Sequence, residues 1–272
     1  MPRQRINDRE TERRMLDAAL EITQETGVQF SLNGLVFDEV VRRAGVSRTS
    51  AYRRWPTRDL FYGDVLVELA KGTILVGSDD VVLLQLIPII RERADSMATA
   101  QDHRNLVIEL LRVSLQADYG HISTSLQWKT FHALLASHTG IADTELRERV
   151  ASSLAATLNG FNERRARLYA QMSALIGYRL IPPLVGPEGF DLMSRAQGAL
   201  FLGALRDEAT LRQVEVPRIM RAFGSTELRE WTPTIYMLAA SILAYVEPDP
   251  HVRWDENRIG DLITALEAYV SL

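Results

Sequence analysis

Apolar residues recur along this chain at three- and four-residue intervals, the spacing that lines one face of an α-helix. In the stretch ETERRMLDAALEITQETG, Leu16, Ala19, Leu20 and Thr23 share a face, and Gly27 follows as a stop. Phe37, Val40, Val41 and Ala44 line up in a second helix over 34–44, and a very short third covers 48–55. Pro56 then breaks the chain, and Thr57 can cap a fourth helix running from 58 towards 76. Helical spacing returns over 80–97, 101–118, 122–137, 142–178, 189–206, 230–246 and 255–271. The longest of these allows a register slip at Asn159–Gly160. RLIPPLVGPEG reads as a connector, and the charged stretch 207–229 as a loop with one short helical turn. No strand-like alternation is found. Val81–Ile90 is apolar enough for a buried strand, but Pro88 and its helical neighbours argue against one. The expected fold class is all-α.

Composition narrows this picture. At 272 residues the chain suits one large or two small folding units. With 46% hydrophobic residues it can build a core without staples, and with no cysteine it has none to use. A reducing compartment is permitted. The polar N-terminus does not read as a signal peptide, and IYMLAASILAYV at 235–246 is too short to cross a bilayer. These features lead to the expectation of a cytoplasmic protein with no membrane partner.

Charge divides the chain more sharply. The formal net charge is −4, yet residues 42–58 hold Arg42, Arg43, Arg48, Arg53, Arg54 and Arg58 and no carboxylate. A basic head on an acidic body points to an anionic partner for the head alone. The boundary is expected near residue 60, giving domains 1–60 and 61–272.

The segment 34–58 reads as helix, turn, helix. Gly45 can take the positive φ of a helix C-terminus, Val46 can plug the angle between the helices, and Ser47 can cap the second helix. Within that helix Ala51 and Trp55 share an inward face. Arg48, Thr49, Tyr52 and Arg53 share the opposite one, so guanidiniums, a hydroxyl and a phenol face outward together. Such a helix can enter a DNA major groove. Thr57 and Arg58 open the next helix, whose N-terminus favours anions, while Arg42, Arg43 and Arg54 flank the surface.

The stretches RRMLDAALEITQETG and FDEVVRRAGVSRTSAYRRWPTRDLF, within residues 13–61, resemble the TetR family of bacterial transcription regulators. The family pattern is matched at Ala44–Ser47, Tyr52, Trp55 and Arg58. Departures are Trp55 where phenylalanine is commoner, Arg54 for histidine, Arg58 for lysine, Val41 for a small residue, and Val36 where a capping hydroxyl is usual. Ser31 or Asn33 can cap instead. The resemblance implies a three-helix helix-turn-helix domain joined to a larger helical effector-binding and dimerisation domain. It implies that Ser47, Tyr52 and Arg58 grip phosphates while Arg48, Thr49 and Arg53 face bases. Arg3 and Arg5 either reach a minor groove or form an unfolded arm.

One recognition helix makes too few contacts for operator affinity, so a twofold dimer is expected. Helix 189–206, with Gly198, Ala199, Gly203 and Ala204 among Phe190, Met193, Leu200 and Phe201, is paired in that expectation with helix 230–246 and its stripe of Trp231, Ile235, Leu238, Ile242 and Leu243. Helix 255–271 carries a similar stripe. The resemblance also implies a small-molecule pocket in the body, for which His103, Trp128, Phe131, His132, Phe161, Tyr169 and Met172 are candidates; ordinary core packing is the competing account of each. No cofactor, metal set or catalytic motif emerges: the five histidines are scattered, and there is no HExxH, framed serine or phosphate-cradling glycine loop. The expectation is therefore a ligand-responsive DNA-binding regulator, a repressor rather than an activator, and not an enzyme. The alternative is a helical ligand-binding or protein-docking module that has lost operator binding.

Overall fold

The structure, a computed structural model, describes residues 7–26, 35–71, 79–211, 215–254 and 256–270. Gly27, Ser31, Asn33, Arg3 and Arg5 lie outside the described residues, as does the far end of the fourth helix. The protein is all-α, with eleven α-helices and four three-residue strands among the described residues. It divides into two compact units, residues 1–75 with 124–159, and residues 76–123 with 160–272. The charge boundary near residue 60 marks the end of the basic segment rather than a break in packing.

The first unit begins with α1 (Asp8–Thr26), α2 (Phe37–Ala44), α3 (Arg48–Arg54) and α4 (Arg58–Lys71). It continues with α7 (Leu126–Ser137) and the first half of α8 (Thr144–Leu175). Met15, Ala18, Ala19, Ile22 and Thr23 of α1 are buried, whereas Leu16 and Leu20 are half-buried. The inward face is thus turned about one residue from the expected stripe, because Met15 supplies an anchor that the stripe omitted. Around Phe61 the rings of Phe37 and Trp55 stand edge-on with centroids 5.1 and 5.0 Å away, a geometry aromatic pairs favour. Arg149 of α8 bonds Asp64 at 2.7 Å, and Thr157 bonds the Ala70 carbonyl at 2.7 Å.

The second unit comprises α5 (Asp79–Arg93), α6 (Ala100–Thr124), the rest of α8, α9 (Gly186–Leu211), α10 (Pro233–Leu243) and α11 (Glu256–Val270). Pro88 lies inside α5, so that segment is helical despite its apolar run. Leu83, Leu86 and Ile90 of α5 pack with Ile259, Leu262 and Leu266 of α11 and with Leu106 and Leu110 of α6. The stripes read on α10 and α11 both face inward: Ile235, Leu238, Ile242, Ile259, Leu262 and Leu266 are all buried.

Two short antiparallel ribbons correct the expectation of no strands. Strand β1 (Tyr178–Leu180) pairs with β4 (Val246–Pro248), and β2 (Arg218–Met220) with β3 (Arg229–Trp231). Three residues are too few for an alternating pattern to register. Trp231 therefore sits on a strand, and α10 starts later, at Pro233, with Thr232 accepting from the Ile235 amide. Within the stretch 207–229, expected to be a loop, residues 207–211 belong to α9 and 218–220 form β2. Asn105 of α6 donates to Thr226 Oγ1 at 3.0 Å and accepts from the Thr226 amide at 2.9 Å, and Arg104 donates to the Phe223 carbonyl at 2.8 Å.

Gln197 of α9 is fully buried, and neither end of its amide has a hydrogen-bond partner among the described residues. An unsatisfied buried polar group costs about 1–3 kcal/mol. Gln197→Met is expected to raise the melting temperature by several degrees in thermal unfolding. A lowered melting temperature would show that the amide is satisfied in the working protein.

Candidate nucleic-acid interface and apolar cavity

The geometry around α3 follows from local chemistry. Gly45 adopts φ 63° and ψ 27° after α2, where a side chain would be strained, and its N–H reaches the Arg42 carbonyl. Ser47 accepts from the Ser50 amide at 3.0 Å and so starts α3. Ala51 and Trp55 are fully buried. The Trp55 indole N–H donates to Asp64 Oδ2 at 3.0 Å. Burial pushes the Asp64 carboxyl up, but Arg149, the Trp55 indole and Arg54 outweigh it and hold it below the usual carboxylate range. With the inner face anchored, Arg48, Thr49, Tyr52 and Arg53 are exposed together. The Tyr52 ring leans on Phe37, 5.1 Å between centroids, which fixes the phenol at the edge of that face. Thr57 Oγ1 lies 3.5 Å from the Leu60 amide at the start of α4.

The arginines are not bare. Arg42 faces Glu39 at 3.8 Å, Arg43 faces Glu25 at 2.7 Å and Arg48 faces Asp38 at 3.3 Å. Arg53 pairs with Asp8 at the start of α1. Arg54, expected to flank the surface, instead forks onto Glu12 with both bonds near 3 Å, reaches Asp64 at 3.4 Å, and lies over the Trp55 ring. It braces α1 and α3 rather than facing outward. Arg58 has no ion-pair partner among the described residues. The partners of Arg53 and Arg54 went unnoticed in the sequence because Asp8 and Glu12 lie more than forty positions before the arginines they meet.

The second unit holds a partly open cavity of about 190 Å³, walled mainly by aliphatic side chains of α5, α6, α8, α10 and α11. Tyr169 and Met172 line it. His103, Trp128, Phe131, His132 and Phe161 do not. His103 stacks on Trp254 at 4.1 Å and meets the Ile176 carbonyl through Nε2 at 2.9 Å. Phe161 lies under Arg165, 4.8 Å from its guanidinium carbon. Trp128, Phe131 and His132 form an aromatic group within the first unit, where Trp128 and Phe131 are buried. Aromatic side chains were a poor marker of this wall, because most of it is leucine, valine and isoleucine.

Burial pushes the His103 imidazole down to about 4, with neighbouring Arg104 acting the same way and the Ile176 carbonyl opposing both. Its folded value lies below the unfolded one, so the folded state binds fewer protons as the solution is acidified. The resulting stability is complete above about 6.5 and is lost as pH falls towards 4. His103→Gln is expected to flatten the melting temperature across that window. An unchanged acid profile would contradict the assignment.

Among the described residues no group of three or more histidines and carboxylates could hold a metal, and no helix is long and apolar enough to cross a membrane. No family model and no curated protein matches the chain. Among solved structures, the crystal structure of a "putative transcriptional regulator" from Rhodococcus sp. RHA1 is similar at 14% identity. The likeness covers 85% of this chain and 92% of that one, with a TM-score of 0.41. At that level it carries no functional argument, and function must be read from the side chains.

Proposed function

We propose that the protein is a ligand-responsive, sequence-specific DNA-binding transcription regulator of the TetR type, acting as a homodimer and as a repressor. The observation that carries this reading is the α2–turn–α3 unit, whose buried Ala51 and Trp55 turn Arg48, Thr49, Tyr52 and Arg53 outward on one short rod. Arg48, Thr49 and Arg53 have the donors for base edges, while Ser47, Tyr52 and Arg58 suit phosphates, with Arg42 and Thr57 beside them. A seven-residue helix reads only a few base pairs, so two copies about 34 Å apart on the duplex are needed. The outward residues of α9 and α10, including Leu192, Ala199 and Met237, are offered as the dimer surface.

The cavity is the effector site in this reading. Tyr169, Met172 and Ser173 of α8 line it, while the N-terminal half of the same helix is tied to α4 through Arg149 and Thr157. Helix α8 is therefore the proposed carrier of the ligand's differential affinity to the DNA-binding unit.

One observation favours the alternative, a docking module without operator binding: five of the six arginines in 42–58 face a carboxylate. Apart from the Arg54 fork these pairs are largely exposed, and exposed pairs contribute only about 0–1 kcal/mol, so phosphates can displace the carboxylates. Selection of bound fragments from genomic DNA tests the proposal. It should enrich sites with two related halves one helical turn apart; enrichment of no sequence contradicts it.

A further inference from the structure

Ser173 of α8 is a buried hydroxyl with nothing to bond. Ser114, Ser137 and Ser153 each donate to the carbonyl four residues back, a common way for a helical hydroxyl to be satisfied. Ser173 is only 6% exposed, yet its side chain makes no hydrogen bond among the described residues. Its oxygen is not sealed in as the Gln197 amide is. Ser173 lines the cavity of the second unit, so its hydroxyl opens onto that space.

The rest of the wall narrows what could answer it. Most of it is aliphatic, and it carries no lysine, arginine or histidine. Its one carboxylate, Asp118, already has an interaction of its own. A charged occupant would give up its hydration with no free countercharge to replace it. Tyr178, also on the wall, accepts from Arg104 at 2.8 Å. Burial pushes its pKa up against the pull of Arg104, so the phenol keeps a proton to give. Ser173 and Tyr178 are thus both able to donate, and an acceptor on a neutral molecule would suit them. About 190 Å³ is room for a molecule of roughly one ring; an engineered apolar cavity of about 150 Å³ in another protein admits benzene.

We infer that the cavity takes a compact, neutral, largely apolar molecule bearing one acceptor oxygen, seated with that oxygen on the Ser173 hydroxyl. The effector role of the molecule rests on the proposed function; its binding does not, and is measured without DNA. Acetophenone serves as the probe. Ethylbenzene is the same skeleton without the oxygen, 1-phenylethylamine its cationic counterpart and benzoate its anionic one. Each is titrated calorimetrically into the full chain at neutral pH. Acetophenone should bind saturably, and both charged compounds should bind at least tenfold more weakly. Ser173→Ala should weaken acetophenone roughly three- to tenfold and leave ethylbenzene unchanged or slightly tighter. Ser173→Cys, with only a weak donor, should fall between the parent and the alanine variant. The inference is overturned if either charged compound binds as tightly as the ketone, or if the ketone is indifferent to both Ser173 variants. It is overturned equally if ethylbenzene loses as much as the ketone in Ser173→Ala, or if no saturable ketone binding occurs at millimolar concentration. None of these failures touches DNA binding. A chain that binds the ketone but no duplex would uphold the cavity assignment and refute the regulator reading.

Discussion

Replacing Trp55 by alanine is expected to unfold the first unit and abolish DNA binding. The indole is fully buried at the end of α3, edge-on to Phe61, beneath the Arg54 guanidinium and bonded to Asp64. Truncating a buried tryptophan costs about 3–5 kcal/mol. Leaving Asp64 without its indole donor, half-buried among Arg54 and Arg149, adds to that cost. Domains of this kind are stable by only about 5–15 kcal/mol, so the loss consumes much of the margin. Trp55→Phe keeps a ring against Phe61 and loses only the N–H, so its cost should be about 1–2 kcal/mol. Urea unfolding followed by circular dichroism separates the two. An alanine variant as stable as the parent would mean that Trp55 does not organise α3.

Arg53→Ala should weaken operator binding by about 1–3 kcal/mol for each head, the value of one good base contact, and relax sequence preference at the position it reads. Its partner should show the opposite sign. Asp8 holds Arg53 in the free protein, so a duplex must displace the carboxylate before the guanidinium can reach a base. Asp8→Asn should therefore tighten binding a few-fold, in keeping with about 0–1 kcal/mol for an exposed pair. In the Arg53→Ala background most of that gain should vanish, since the two residues act through one contact. Fluorescence anisotropy with an operator duplex measures all four combinations. If Asp8→Asn helps equally with and without Arg53, Asp8 acts only as a distant charge, and Arg53 is not the group it restrains.

The head was legible in the sequence because its geometry is written in near neighbours. Gly45, Ser47 and Ala51 act within four residues, Trp55 and Pro56 follow directly, and the turn, cap and buried face stand where that chemistry puts them. Helices longer than ten residues were legible from spacing in order and rough place, but not in their ends: α6 runs to Thr124 rather than stopping near 118, and α9 to Leu211 rather than 206. What escaped depends on distance along the chain. The pairing of Tyr178–Leu180 with Val246–Pro248 joins strands that carry no periodic signal. The Arg53–Asp8 and Arg54–Glu12 pairs turn an apparently bare cationic segment into a largely compensated one. The cavity wall draws on leucines and valines identical to those of the core, and its few polar residues, such as Ser114 and Ser173, look like solvated positions on their helices.

The most direct test of the central claim is the salt dependence of binding to duplex DNA, compared between the parent protein and Arg58→Ala. Phosphate contacts release counterions, so the logarithm of the association constant should fall linearly and steeply with the logarithm of salt concentration. Removing Arg58 should make that slope shallower by about one for each head. A chain that ignores duplex DNA in dilute buffer, or binds it with a flat salt profile indifferent to Arg58, would contradict the account.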